Sequence, residues 1–137
     1  MIKNKGKEKE KVMVVDDEKD TCDSVALVLG SAGFSVEKAY SGKECLEKIE
    51  SKWKFYDLVL IDIMMPGLSG IELLKILKNK IGNKITMAYL SIVPKSQVDL
   101  TSVDGFIQKP FDNDDLRKEV KEIIKKFKRE REKKNEK

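Results

Sequence analysis

Apolar residues in this chain follow two alternating rhythms: short unbroken runs, and stretches where they return every three or four positions. The run Val12-Met13-Val14-Val15 ends at Asp16 and reads as a strand covered on both faces. Over residues 18–31, Cys22, Val25, Ala26 and Leu29 share one face of a helix, and Gly33 follows as its stop. Phe34, Val36 and Ala39-Tyr40 predict a second strand, less apolar and therefore nearer a sheet edge. Ser41, with Glu44 three residues on, predicts a capping box for a helix through Leu46 and Ile49.

The run at residues 57–62 is the most apolar and predicts a central strand. A loop at 63–68 leads to Ser69, which can cap a helix carrying Ile71, Leu74, Leu77 and Ile81. A fourth strand falls within residues 85–91, and a short connection holding Pro94 leads to a fifth at 103–108, interrupted by Gly105. The last helix starts near residues 112–115, where acids suit the positive end of its dipole, and runs through Leu116, Val120, Ile123, Ile124 and Phe127. Strands alternating with helices in this way predict an α/β fold, a doubly wound five-stranded parallel sheet.

Composition narrows the picture. The chain has 137 residues, the size of one domain. Residues 1–11 carry five Lys and two Glu, residues 128–137 six Lys/Arg and three Glu, so the body between them holds 17 basic and 19 acidic residues. The basic balance therefore belongs to the ends: a charged extension at 1–10, a folded body at 11–127, and a charged tail or helix extension at 128–137. Both ends mix signs and lack aromatic residues, so nucleic acid is not the expected partner. No stretch reaches the roughly 20 apolar residues of a membrane span, and no apolar signal core follows the lysine-rich start; the expectation is a cytoplasmic protein. Cys22 and Cys45 lack metal-ligand spacing, and the chain has no histidine, so both read as ordinary thiols.

The chemistry sits at strand ends. Asp16 and Asp17 close the first strand and Asp62 the third, and in an open parallel sheet ligands bind at the carboxyl ends of strands. Three carboxylates there suit a hard cation such as Mg2+, with Mn2+ as the alternative. Asp17 and Asp62 are the expected direct ligands, Asp16 acts through water, and the Met64 carbonyl can add an oxygen. Lys109, after the fifth strand and before Pro110-Phe111, can neutralise transferring phosphoryl oxygens. Ser91, at the end of the fourth strand, can donate its hydroxyl to one. A phosphatase with an aspartate nucleophile would need a second acid where Met64 stands, and acids after the first strand would repel a flavin phosphate.

Three segments together carry a resemblance: Val14-Val15-Asp16-Asp17-Glu18, then Leu60-Ile61-Asp62-Ile63-Met64-Met65-Pro66-Gly67-Leu68-Ser69-Gly70, then Phe106-Ile107-Gln108-Lys109-Pro110-Phe111. The chain resembles the response-regulator receiver domains of two-component signalling. The resemblance implies a flavodoxin-like strand order 2-1-3-4-5. It also implies phosphorylation at Asp62, Mg2+ held by Asp16 and Asp17, Lys109 on the phosphoryl group, Ser91 as the switch hydroxyl and Phe106 as the switch aromatic. The phosphoryl donor would be a sensor histidine kinase or phosphotransfer protein. The output would be a downstream target protein contacted through the fourth helix, fifth strand and last helix, with homodimerisation on activation as a further option.

Three departures from the family accompany the match. The 18 positions from Ser91 to Lys109 are several short, so the family's fourth helix should be abbreviated or irregular. Ile92 stands where a small residue is usual and would restrict access to Asp62, and Ser69 replaces a common acid. With only a charged segment after the last helix, the expectation is a stand-alone regulator. The rival expectation is a pseudo-receiver, an interaction module that works without phosphorylation.

Overall fold

The computed structural model describes residues 9–135. Five parallel strands, β1 (Lys11–Val15), β2 (Ser35–Ala39), β3 (Leu58–Ile61), β4 (Met87–Ser91) and β5 (Gly105–Gln108), form one sheet in the order β2-β1-β3-β4-β5. Four α-helices cover it: α1 (Lys19–Ser31), α2 (Gly42–Ile49), α3 (Gly70–Ile81) and α4 (Asn113–Asn135). The alternation of side chains along each strand divides the core in two. Met13, Val15, Val59, Ile61, Met87 and Tyr89 pack under α2 and α3. Val12, Val14, Leu58, Leu60, Ala88 and Leu90 face α1 and α4 through Val25, Leu29, Leu116, Val120 and Ile124.

Local chemistry sets the helix starts, with one difference from expectation. Ser69 and Glu72 form a full capping box on α3. At α2 the Ser41 hydroxyl accepts the Glu44 N–H at 3.0 Å, but the Glu44 carboxylate reaches one residue further back and accepts the Tyr40 N–H at 2.6 Å. That bond to a charged acceptor holds the Glu44 carboxyl below its ordinary value.

The larger differences lie between β4 and β5. The helix expected there in abbreviated or irregular form is reduced to a single 3-10 turn, Lys95–Gln97. Pro94 has no N–H to give a helix, and Val93, Val98, Leu100 and Val103 do not repeat at helical spacing. Gly105 begins β5 instead of interrupting it. A Cβ there would come within 2.5 Å of Ile123 Cδ1, so the glycine lets α4 settle against the sheet. At the other end, α4 continues to Asn135, into the segment for which a tail or a helix extension was expected. The extension expected at residues 1–10 lies outside the described residues up to position 8.

Candidate functional site

The sheet order makes β1 and β3 neighbours, paired from Val12↔Leu58 to Val15↔Ile61. The residues just past both strands therefore meet at one rim. The Asp62 N–H donates to Val15 O at 2.9 Å, and the Asp16 N–H to Ala39 O at 3.1 Å. Both acids are thus anchored by backbone before their side chains do anything.

At that rim, one carboxylate oxygen each from Asp16, Asp17 and Asp62 lies within 4.8 Å of the others. Asp16 and Asp62 are buried, and Asp17 is exposed. Asp16 Oδ1 accepts the Glu18 N–H at 2.9 Å, and its Oδ2 accepts from Lys109 Nζ at 2.8 Å. The same ammonium stands 3.8 Å from Asp62 Oδ2. Asp62 Oδ1 accepts the Met64 N–H at 3.3 Å. Burial, then the neighbouring Asp16 carboxylate, pushes the Asp62 carboxyl up to about 6, with Lys109 and the Met64 N–H pulling it back. An all-oxygen donor set with one exposed and two buried carboxylates fits Mg2+, which keeps several of its own waters and takes few protein ligands.

The loop beneath the acids is held by a close approach. Gly70 opens α3 with its N–H on Ile63 O at 2.9 Å, and a Cβ there would lie 2.1 Å from Asp62 O. Gly67 takes φ +74°, a conformation that side chains disfavour, in the turn after Pro66. The Lys109-Pro110 peptide is cis, and the Lys109 N–H donates to Ser91 O at 2.9 Å, tying the ends of β4 and β5 together.

Other residues singled out from sequence fall around this centre. Ser91 is fully buried, and its hydroxyl accepts the Val93 N–H at 3.3 Å; among the described residues it makes no bond to Asp62 or Lys109. Phe106 is half-buried and meets Tyr89 edge-on, centroids 6.4 Å apart at 75°. Met64 and Ile92 are 60 % and 63 % exposed. Tyr89 was not singled out from sequence. Its position opposite Phe106 follows from the β4–β5 register, which local periodicity does not contain.

A doubly wound sheet with an acid triad and a lysine at its rim defines a phosphoacceptor class of signalling domain. The model for the response regulator receiver domain matches residues 12–121, and the chain belongs to that family. The chain is 36% identical over 113 residues to the transcriptional regulatory protein DltR of Streptococcus agalactiae, covering 77% of this chain and 48% of that protein. It is 33% identical over 126 residues to the regulatory protein VanR of Enterococcus faecium, covering 88% and 52%. The chain thus spans about half the length of these curated relatives. Among solved structures, a CheY-like receiver domain protein from Methanospirillum hungatei superposes with TM-score 0.80 at 28% identity, over 90% of this chain and 99% of that one. The regulator TrrA of Thermotoga maritima, solved in complex with Mg2+ and BeF, gives 0.75 at 30% identity over 83% and 98%.

Proposed function

We propose that residues 11–127 form a phosphorylation switch in which Asp62 accepts a phosphoryl group from a phosphohistidine on a sensor histidine kinase or phosphotransfer protein. The supporting observation is the placement of the Asp62 carboxylate, at a strand end beside two further acids within 4.8 Å and a lysine at 3.8 Å. An Asp62 oxygen forms the new O–P bond while the donor's N–P bond breaks and its electron pair leaves with the imidazole. Lys109, already between Asp16 and Asp62, neutralises the phosphoryl oxygens.

Asp17 and Asp62, with the Met64 carbonyl, would hold Mg2+ directly and Asp16 would act through water; Mn2+ could substitute. That division fits the hydrogen bonding. Both Asp16 oxygens are engaged, whereas the Asp17 carboxylate has no partner among the described residues. A bound cation supplies charge that offsets repulsion between Asp62 and the incoming dianion.

Phosphorylation draws the Ser91 hydroxyl from the Val93 N–H toward the phosphoryl group, and Phe106 shifts against Tyr89. The surface that changes comprises residues 92–104, β5 and α4, since no helix stands between β4 and β5. A partner protein reads that surface. The test is intact-mass spectrometry after incubation with acetyl phosphate and Mg2+. A single phosphate on the native protein and none on Asp62→Asn supports the assignment; equal labelling of the variant contradicts it.

A second reading, a phosphorylation-independent pseudo-receiver, draws on Ile92 and on the lost helix. It predicts an amide spectrum unchanged by beryllofluoride in the presence of Mg2+, whereas the switch predicts shifts along β4 and β5.

A further inference from the structure

Between β4 and β5, residues 94–103 lie over the sheet with Val98 and Val103 packed against the core. Their hydrogen bonds are nearly all internal: the Gln97 N–H to Pro94 O, the Val98 N–H to Lys95 O, the Val103 N–H to Leu100 O, and Thr101 to the Asp99 carboxylate. Among the described residues, one hydrogen bond joins this segment to the rest of the protein, from the Lys95 N–H to Gln108 Oε1 at 3.2 Å. Gln108 ends β5 on the same face as Phe106, the face that the segment covers. The other end of its amide points to the rim of the phosphoacceptor centre: Nε2 donates to Ser91 O at 3.1 Å and to Lys109 O at 3.3 Å. Oxygen toward an N–H and nitrogen toward two carbonyls is the one orientation that satisfies all three partners. Ser91 O also accepts the Lys109 N–H at 2.9 Å. The amide is thus bonded to the backbone of both residues whose side chains meet the phosphoryl group in the proposed reaction.

We infer that Gln108 is a positioning residue that couples the phosphoacceptor rim to residues 94–103, its amide carrying a displacement of Ser91 and Lys109 into the 3-10 turn. The inference rests on the phosphorylation switch proposed above and names the link between its two ends. Chain connectivity alone transmits such a displacement weakly. Once the Ser91 hydroxyl turns from the Val93 N–H to the phosphoryl group, that anchor at the start of the connection is gone, and Pro94 has no N–H to replace it. The Gln108 amide holds Lys95 to the junction of β4 and β5, so the turn follows that junction when it moves. Pairing between the two strands is backbone, so a residue without an amide at this position keeps the sheet and loses the link.

The experiment follows the backbone amides of the full chain by heteronuclear NMR, with Mg2+ alone and then with beryllofluoride added. Asp62 and Met64 amides report occupancy of the rim, and Ser96 and Gln97 amides report the 3-10 turn. Variants break the link from both ends. Gln108→Met removes the amide at nearly the same length, and Gln108→Glu keeps the acceptor for Lys95 but not the donors. Lys95→Pro removes the N–H at the first position of a 3-10 turn, where the φ of proline fits. In the native protein beryllofluoride should shift both sets of amides. In all three variants the rim shifts should persist, while those of Ser96 and Gln97 should fall below about half their native size. Gln108 and Lys95 are exposed, so thermal midpoints should stay within about 5 °C of native. Without metal or beryllofluoride, the Lys95 amide should exchange with solvent at least about threefold faster in Gln108→Met. Full Ser96 and Gln97 shifts in Gln108→Met or Lys95→Pro would overturn the inference and leave the switch standing. A full response in Gln108→Glu would overturn the bridge by assigning the link to the acceptor alone. If beryllofluoride shifts neither set in the native protein, the switch fails and this inference falls with it; if it shifts only the rim, this inference alone falls.

Discussion

Lys109 donates to Asp16 at 2.8 Å, across 93 positions of sequence, with the Asp16 side chain only 1 % exposed and the lysine 15 %. The lysine that serves the phosphoryl group in the proposed reaction thus balances the most buried acid of the site before any reaction occurs. Removing one partner of a buried pair leaves the other charge uncompensated. Lys109→Met should therefore destabilise the metal-free protein by about 2–4 kcal/mol, and added Mg2+ should restore part of that. Urea unfolding with and without a chelator checks both; unchanged stability would mean that Asp16 draws little from the lysine.

Asp62 titrates higher in the folded protein than in the unfolded chain, about 6 against 3.8. Between those values the unfolded chain has given up the proton and the folded protein retains it. Asp62 thus favours the folded state at low pH, and that contribution is lost as pH rises through about 6. Asp62→Asn, which cannot ionise, should be more stable than the native protein near neutral pH by about 1–2 kcal/mol after allowance for solvent screening. The gap should close in acid, and a chelated thermal-melt series across pH would show it.

Two glycines in helices should respond in opposite directions to the same change. A Cβ at Gly70 would strike the Asp62 carbonyl and the Ile63 backbone, neither of which can give way, whereas at Gly30 it meets nothing within 4 Å. Gly70→Ala should cost about 2–3 kcal/mol and weaken Mg2+ binding by shifting the Asp62 loop. Gly30→Ala should stabilise the protein by about 0.5–1 kcal/mol. Chemical denaturation together with a Mg2+ titration distinguishes the two.

Thr86 is fully buried, and its hydroxyl has no hydrogen-bond partner among the described residues. A buried polar group without a partner costs stability, and valine has nearly the same shape. Thr86→Val should raise stability by about 1 kcal/mol, read from the urea midpoint. The Val59 N–H to Thr86 O bond, 2.9 Å, is backbone and survives the change.

Ile92 follows Ser91 and is largely exposed, so trimming it should alter stability by less than about 0.5 kcal/mol. If the side chain restricts approach to Asp62, Ile92→Ala should speed labelling by acetyl phosphate several-fold. Equal rates would remove Ile92 as an obstruction.

Much of this protein was legible along the chain because the information is local. A strand buried on both faces needs an uninterrupted apolar run, so Val12-Met13-Val14-Val15 and Leu58-Val59-Leu60-Ile61 announce themselves. The acids that end those runs sit at the ligand-binding edge because parallel strands all end on the same side. Ser69 marks a helix start by the reach of its short side chain to the backbone; that Glu72 completes the box emerged only in the structure. The periodicity established five strands, and the three motif segments pointed to the family and to Asp16, Asp17, Asp62 and Lys109 as the residues to watch.

Tertiary structure decided what depends on distance through space. Strand register set Phe106 against Tyr89, and burial ranked Asp16 above Asp17, adjacent residues that composition cannot separate. A missing helical repeat at residues 92–104 became a 3-10 turn because packing over β4 and β5 required no more than scattered valines. A cleft lined by Trp53 brings together residues from the turn after α2, the turn after α3 and the far part of α4. No local rhythm records that meeting, since it arises only when the crossovers return each helix to the same end of the sheet.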